Sequence, residues 1–374
     1  MDLSWTDEQQ MLAQTLRDVC AKYSTPEIVR ALEDDPTGYR EEFWKELAGL
    51  DLLGLRIPEE FGGMGRTLLD EVVVCEELGR VLAAVPYFTT AAVAAAAIRI
   101  GGTTEQKRAL LPEIATGAEI ISCAWFELDR GTGAEGVQAR FENGVLTGTK
   151  ILVPFAKSAT RFLVLARDGE AVDLFLAESG SHLTQEKTMA ADAAYEVVFD
   201  DVRAERLGQR GSGWGTWQAA LDEGLVAFAA YAVGGAARAH EMAVQYAKER
   251  EQFGRKIGSF QGLAHPLADT ATDIEGARVL VWQAAWSHAT GKRDPKPLSA
   301  MAKLYACDVF KRTTKVGQQT FGGIGFIRDV DMQLYFRRAK QMELLWLGPR
   351  ALEERIAAAE LDAATPFVGI DSSD

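Results

Sequence analysis

Apolar residues recur at helical spacing through the first third of the chain, where Met11, Leu12, Leu16 and Val19 share one face of a first helix. Thr6 or Asp7 supplies its cap, because either side-chain oxygen can accept from the free N–H groups of the opening turn. The same spacing predicts helices over residues 42–53, 70–82 and 90–100. The first of these is closed by the turn-rich Pro58-Glu59-Glu60-Phe61-Gly62-Gly63.

From about residue 119 to 206 the period shortens. The runs 144–153, 161–166 and 171–176 are short, β-branched and separated by Gly, Asp or Asn. No helix intervenes, so an antiparallel β domain is expected and a doubly wound parallel sheet is not. Past a glycine-rich loop at 208–215 the helical pattern returns in longer stretches, over 225–250, 263–290, 297–320 and 330–360. Such a succession predicts a helical bundle. The fold class is thus α+β: an N-terminal helical domain (1–118), a middle antiparallel β domain (119–209) and a C-terminal four-helix bundle (210–374). The polar tail from 365 is expected to fray. Gly234-Gly235 interrupts the first long helix, at about 1 kcal/mol per glycine relative to Ala. Close approach by another backbone or by a ligand would explain the pair.

Composition narrows the function. The 374 residues carry a formal net charge of −14, which argues against a nucleic-acid binder or a protein held to anionic lipid by a basic patch. The most apolar stretch, 91–100, is too short to span a bilayer, and MDLSWTDEQQ lacks the regions of a secretory leader. Cys20, Cys75, Cys123 and Cys307 lie far apart among apolar neighbours, so buried free thiols and a cytoplasmic location are expected. His182, His240, His265 and His288 have no metal-ligand spacing, and no metal site is expected. Trp282 and Trp286 share a helix face and read as core or interface.

Two segments carry candidate chemistry. Residues 249–261 offer the cations Arg250, Arg255 and Lys256, the ring of Phe253 and two glycines. They suit a pyrophosphate beside a planar ring, and equally a solvated helix end. The glycine-dense run 318–326 follows a helix rather than a strand, so it is not the dinucleotide fingerprint of a doubly wound sheet. It could admit a flavin's adenosine diphosphate arm, and a helix C-cap explains it as well.

In this order and spacing the segments resemble the acyl-CoA dehydrogenase family. Arg250 to Gln261 is similar to its Arg-x-x-Phe-Gly-x-x-Ile-x-x-Phe-Gln, and Gln319 to Gly325 to its Gln-x-Phe-Gly-Gly-x-Gly. Arg337-Arg338-Ala339-Lys340 is similar to its Arg-x-Ala-Lys, and residues 44–63, 146–150 and 211–213 add further matches. The resemblance implies FAD held between subunits of a homo- or hetero-oligomer. Arg250, Gln252, Phe253 and Gln261 would meet its diphosphate and adenine side, and Gln319, Gly322 and Gly323 would line the same arm. It also implies α,β-dehydrogenation of an acyl-CoA substrate, with an electron-transfer flavoprotein or similar acceptor. A buried carboxylate would remove the α-proton. Arg337, Arg338 and Lys340 could meet CoA phosphates or lie on a solvated or inter-subunit face.

Three departures qualify this picture. The family's usual base, a Glu six residues past the Lys of Arg-x-Ala-Lys, is here Trp346. The alternative family position, early in the first bundle helix, falls on Gly224, with Glu223 one residue short and about 100° away around a helix. Glu223 is the candidate base, and Glu343 a weaker one. Around the flavin ring, Ala124 to Gly131 keeps only Glu127 of the family's Thr-Glu-Pro-Gly-x-Gly-Ser-Asp, and Lys150 is followed by Ile-Leu-Val-Pro rather than by Trp-x-Thr. Retained FAD-arm motifs without a base resemble the partner subunit of the actinobacterial heteromeric branch. A catalytically silent member serving assembly or ligand binding, and a flavin oxidase or reductase on a non-CoA substrate, are the alternatives. The alanine-rich stretch 227–239 would leave room for a bulky, even polycyclic, acyl group.

Overall fold

The computed structural model describes residues 5–178, 180 and 182–361, so the tail from 365 lies outside the described residues. Thr6 caps α1 (Asp7–Tyr23) reciprocally with Gln9: the Thr6 hydroxyl accepts the Gln9 N–H at 3.2 Å, and the Gln9 carboxamide accepts the Thr6 N–H at 3.1 Å. Two helices lie outside the predicted ones, α2 (Pro26–Leu32) and α6 (Thr104–Ala115). Both carry recognisable start signals, Thr25 before Pro26 and the Thr103–Gln106 box. The helix predicted over 42–53 is α3 (Glu41–Gly49), which stops before Asp51 turns left-handed at φ 59°. Next comes α4 (Leu68–Arg80).

The helix predicted at 90–100 begins as π-helix (Phe88–Ala94) and continues as α5 (Ala95–Gly101). From this widened turn Thr89 accepts the Cys123 N–H at 2.9 Å and Thr90 accepts the Ile121 N–H at 3.2 Å. The helical domain thereby satisfies the free side of an edge strand, β1 (Ile121–Ala124).

With β2 (Arg140–Glu142), β3 (Val145–Pro154), β4 (Arg161–Asp168), β5 (Ala171–Ala177), β6 (His182–Glu186) and β7 (Ala194–Arg206), β1 forms one sheet. Its order is β1-β4-β2-β3-β7-β5 with β6 on β7, and β5 pairs with β4 as well as β7, so the sheet curls back on itself. Phe162, Phe175, Val197 and Phe199 fill the interior. The sheet is antiparallel except at one edge, where β1 and β2 meet β4 in parallel. A strand's own pattern says which face is buried but not which strand lies beside it.

The bundle is built on α7 (Gly213–Glu249), α8 (Gln261–Thr290) and α9 (Pro295–Phe321). By length and hydropathy α7 could cross a membrane, but its most apolar stretch is 83% buried inside the protein, as befits a core helix. Gly234 and Gly235 serve packing: a Cβ would lie 1.9 Å from the Glu76 carbonyl oxygen of α4 at the first and 2.5 Å from the Phe310 ring of α9 at the second. Ala229, Ala230, Ala232 and Ala236 are fully buried in the same core. Most of the alanine-rich stretch therefore brings helices together, while Ala227, Phe228 and Tyr231 at its start border a cavity. All four cysteines are buried free thiols, and burial pushes Cys20 up to about 12.

The helix predicted over 330–360 is two, α10 (Met332–Leu344) and α11 (Pro349–Glu360). Periodicity runs through the break, but Trp346 and Leu347 are left-handed at φ 53° and 81°, and Pro349 restarts the helix. Arg355 of α11 meets Asp222 of α7 at 2.9 Å. Burial pushes the Asp222 carboxyl up to about 6, with the Arg355 charge opposing. The folded value lies above the unfolded value of about 3.9, so the ionised carboxylate costs stability; that cost is absent at low pH and grows as pH rises through the folded value. Asp222→Asn should add about 1–2 kcal/mol at neutral pH and nothing measurable near pH 4, read as urea midpoints.

Candidate active site

A cavity of about 140 Å³ lies where the π-helical turn, α7, the α10–α11 break and the β-domain edges near Leu152 and Ala190 meet. Its inner end is aromatic. The Trp346 ring meets Phe88 edge-on at 4.8 Å, stacks on Trp125 at 5.9 Å and lies 6.4 Å from Trp217. Phe228 closes on Phe88 at 5.0 Å. Left-handed backbone at two bulky residues is strained and persists only when its surroundings hold it. Lys303 does so from behind: its buried Nζ donates to the Glu343 and Leu347 carbonyls at 3.0 and 2.7 Å. Burial lowers this ammonium below its ordinary value. The sequence reading missed Phe88 and Lys303; a lysine on the inward face of a helix was the available signal for the second.

Glu223 does not line this cavity. It lies in a separate pocket, where it is held by Arg56 and Arg99, while Arg56 also pairs with buried Glu71 at 2.8 Å. Burial alone would raise the Glu223 carboxyl, but the two guanidinium groups overcome it and hold it below the ordinary value. That is an unfavourable setting for a proton-abstracting base. Gly224 is the residue that points toward the aromatic end: a Cβ there would lie 2.7 Å from Val93 and 3.7 Å from the Phe88 ring. Glu343 pairs with Lys311 and Lys340, whose hydrogen bonds outweigh burial and lower its carboxyl.

Two carboxylates, Glu33 and Asp192, do line the cavity, and each is already paired. Arg337 holds Glu33, and Arg338 holds Asp192 at 2.6 Å. The cations Arg337, Arg338 and Lys340 are thus engaged within the chain. Trp125, from the segment that keeps only Glu127 of the family pattern, belongs to the aromatic cluster. Glu127 turns inward instead, accepting Lys150 Nζ at 2.6 Å and the Gln138 and Ala139 N–H groups at 3.1 and 3.0 Å.

The other motif residues converge far along the bundle. Arg250, Gln252, Phe253, Gln319 and Gly323 line one groove of about 600 Å³, joined by the stacking of Tyr246 on Phe321 at 4.3 Å. Phe253 sits on the turn between β8 (Glu251–Gln252) and β9 (Arg255–Lys256), left-handed at φ 55° and 90% exposed. Arg250 makes no ion pair among the described residues. Gly322 and Gly323 present bare backbone, since a Cβ on either would meet nothing within 4 Å. Gln261 opens α8 beside the groove and is exposed. Among the described residues no group of three His, Cys, Asp or Glu comes together to hold a metal ion.

Comparison with known proteins agrees with this architecture. Residues 6–118 match the acyl-CoA dehydrogenase N-terminal domain and residues 211–361 the C-terminal domain. A probable acyl-CoA dehydrogenase of Bacillus subtilis, YngJ, is 31% identical over 366 residues, covering 92% of this chain and 95% of its own. The structure of butyryl-CoA dehydrogenase from Megasphaera elsdenii is 30% identical with a TM-score of 0.88, covering 96% of this chain and 99% of its own. A chain of the ChsE4–ChsE5 complex from Mycobacterium tuberculosis is 29% identical with a TM-score of 0.88, over 98% of this chain and 100% of its own. The chain belongs to the acyl-CoA dehydrogenase family, oxidoreductases that act on CH–CH bonds and use FAD.

Proposed function

We propose that this chain is an FAD-dependent acyl-CoA dehydrogenase subunit that holds the cofactor's adenosine diphosphate arm but takes its proton-abstracting base from a second, related chain. One observation carries the reading: Trp346 occupies the family's base position and its ring lines the inner end of the cavity. An indole cannot take a proton from carbon. The carboxylates nearest by sequence, Glu223 and Glu343, are held by cations outside the cavity. The likeness to one chain of a two-component complex supports the partner.

The chemistry of the groove suits the diphosphate arm. Arg250 makes no ion pair among the described residues, Phe253 offers an exposed ring for an adenine, and the bare backbone at Gly322 and Gly323 allows close approach. Gln252, Gln261 and Gln319 add hydrogen-bonding groups around it. FAD, when bound, supplies the hydride acceptor, and an electron-transfer flavoprotein or similar acceptor is the expected electron partner. The chain's own work at the ring end is to keep water out, through Trp346, Phe88 and Phe228, around an acyl thioester.

Anaerobic addition of acyl-CoA to the FAD-saturated chain alone should leave the visible flavin band unchanged, and adding the second chain should bleach it. Bleaching by the chain alone would overturn the proposal. In the complete assembly Glu223→Gln is expected to leave the bleaching rate within about twofold. Stability should fall by about 2 kcal/mol, because Arg56 and Arg99 lose a shared partner. A rate lost without any change in the unfolding midpoint would make Glu223 the base after all.

A further inference from the structure

One wall of the cavity is the hairpin loop that joins β6 to β7, residues 187–193. Both of its stems are fixed to β3. Glu186 accepts the Leu152 N–H at 2.6 Å, and the Ala193 carbonyl accepts the Phe155 N–H at 2.7 Å. Between the stems the tip, Thr188 to Asp192, is folded on itself. The Thr188 hydroxyl accepts the Asp192 N–H at 2.9 Å and its carbonyl accepts the Ala191 N–H at 3.2 Å, with Ala191 left-handed at φ 55°. Apart from a turn bond between the Ala194 N–H and the Asp192 carbonyl, the hydrogen bonds that leave the tip, among the described residues, all end on α10. The Gln341 carboxamide accepts the Ala190 N–H at 2.7 Å and donates to Asp192. Arg338 meets the other Asp192 oxygen at 2.6 Å, and Arg337 donates to the Met189 carbonyl at 3.4 Å.

Little apolar surface adds to that grip. The tip turns Ala190 and Ala191 to the cavity, and its one large apolar side chain, Met189, is 53% exposed. A segment held by a few polar contacts over little buried apolar area can open locally while the rest of the fold stays closed. Here the contacts that hold the segment also hold the cavity wall. When Gln341 and Arg338 let go, a preformed tip can swing on fixed stems, and the cavity gains a mouth. We propose that Thr188 to Asp192 is a gate to the cavity, latched to α10 by Arg338 and Gln341. The gate is independent of what the cavity holds, so it stands or falls apart from the function proposed above.

Cys75 of α4 serves as the reporter. It is the cysteine among the residues that line the cavity, while Cys20, Cys123 and Cys307 are buried outside it. The FAD-loaded chain is treated with methyl methanethiosulfonate, a small neutral reagent. A cysteine thiolate attacks its methylthio sulfur, a mixed methyl disulfide forms and methanesulfinate leaves. Peptide mass spectrometry follows the four thiols separately. Gln341→Ala removes both latch hydrogen bonds of that side chain and should speed Cys75 labelling about tenfold, with the other three thiols within about twofold. Asp192→Asn keeps the shape of the latch but gives up its charge, and should act in the same direction. An unchanged Cys75 rate in folded Gln341→Ala, including no labelling in either protein, would overturn the gate. Equal acceleration of all four thiols would overturn it too, because that reports opening of the whole fold. Should Gln341→Ala fail to fold, Asp192→Asn decides by the same two criteria.

Discussion

Trp346→Glu is expected to let the FAD-loaded chain bleach its flavin on addition of an acyl-CoA, with no second protein present. The substitution puts a carboxylate on the α10–α11 break at a position whose side chain lines the cavity. Glu should tolerate the left-handed backbone at φ 53° about as well as Trp does, since both carry a single unbranched Cβ. Lys303 holds the flanking carbonyls of Glu343 and Leu347 and makes no use of the indole, so the break should keep its shape. Surrounded by Phe88, Trp125 and Trp217, the new carboxyl would be poorly solvated and its basicity raised, as a proton-abstracting base requires. A positioned base contributes about 10²–10⁴-fold, which anaerobic stopped-flow bleaching resolves easily. Loss of the indole should cost about 3 kcal/mol of packing, so folding is checked by the unfolding midpoint. A folded, yellow variant that does not bleach would mean that a carboxylate at this position is not enough to start the reaction.

The second large effect is on stability and lies in the β domain. Glu127→Leu is expected to destabilise the protein by about 3–5 kcal/mol, because it strands a buried cation. Lys150 is fully buried, and burial lowers its ammonium to about 8 against the opposing charge of Glu127. The Gln138 and Ala139 N–H groups would lose their acceptor in the same step. Lys150→Met should cost less, about 1–3 kcal/mol, because the Glu127 carboxylate would keep those two backbone donors. The order of the two urea midpoints is the measurement. If Lys150→Met proved the more damaging, the pair would not work as described. The site feels this pair as well, since Lys150 also donates to the Trp125 carbonyl at 3.4 Å, next to the ring that stacks on Trp346.

Much of the candidate site was legible in the residues themselves. Arg250, Gln252, Phe253, Gln319 and Gly323 are brought into one groove although two long helices separate the segments. Glycine, aromatic and cationic residues in a fixed order are a chemical pattern, and such a pattern survives in the linear chain. Glu223 shows the limit. Its place near the start of a long helix was readable, but which face it would present was not. The one-residue offset from Gly224 turns it away from the cavity and toward Arg56 and Arg99, which come from distant parts of the helical domain.

By itself the sequence determined the order of helical, β and helical zones, the cap on α1, the strands β3 to β5 and the long bundle helices. All of these rest on local periodicity and capping chemistry, which act within a few residues. Tertiary structure alone decided that β1 runs parallel to β4, that the last predicted helix breaks at Trp346, and that Gly234 and Gly235 meet helices rather than a ligand. It also decided that Lys303 spends its charge on two backbone carbonyls. Each of these depends on groups far apart in the chain competing for the same buried space, and no local pattern records which of them meet.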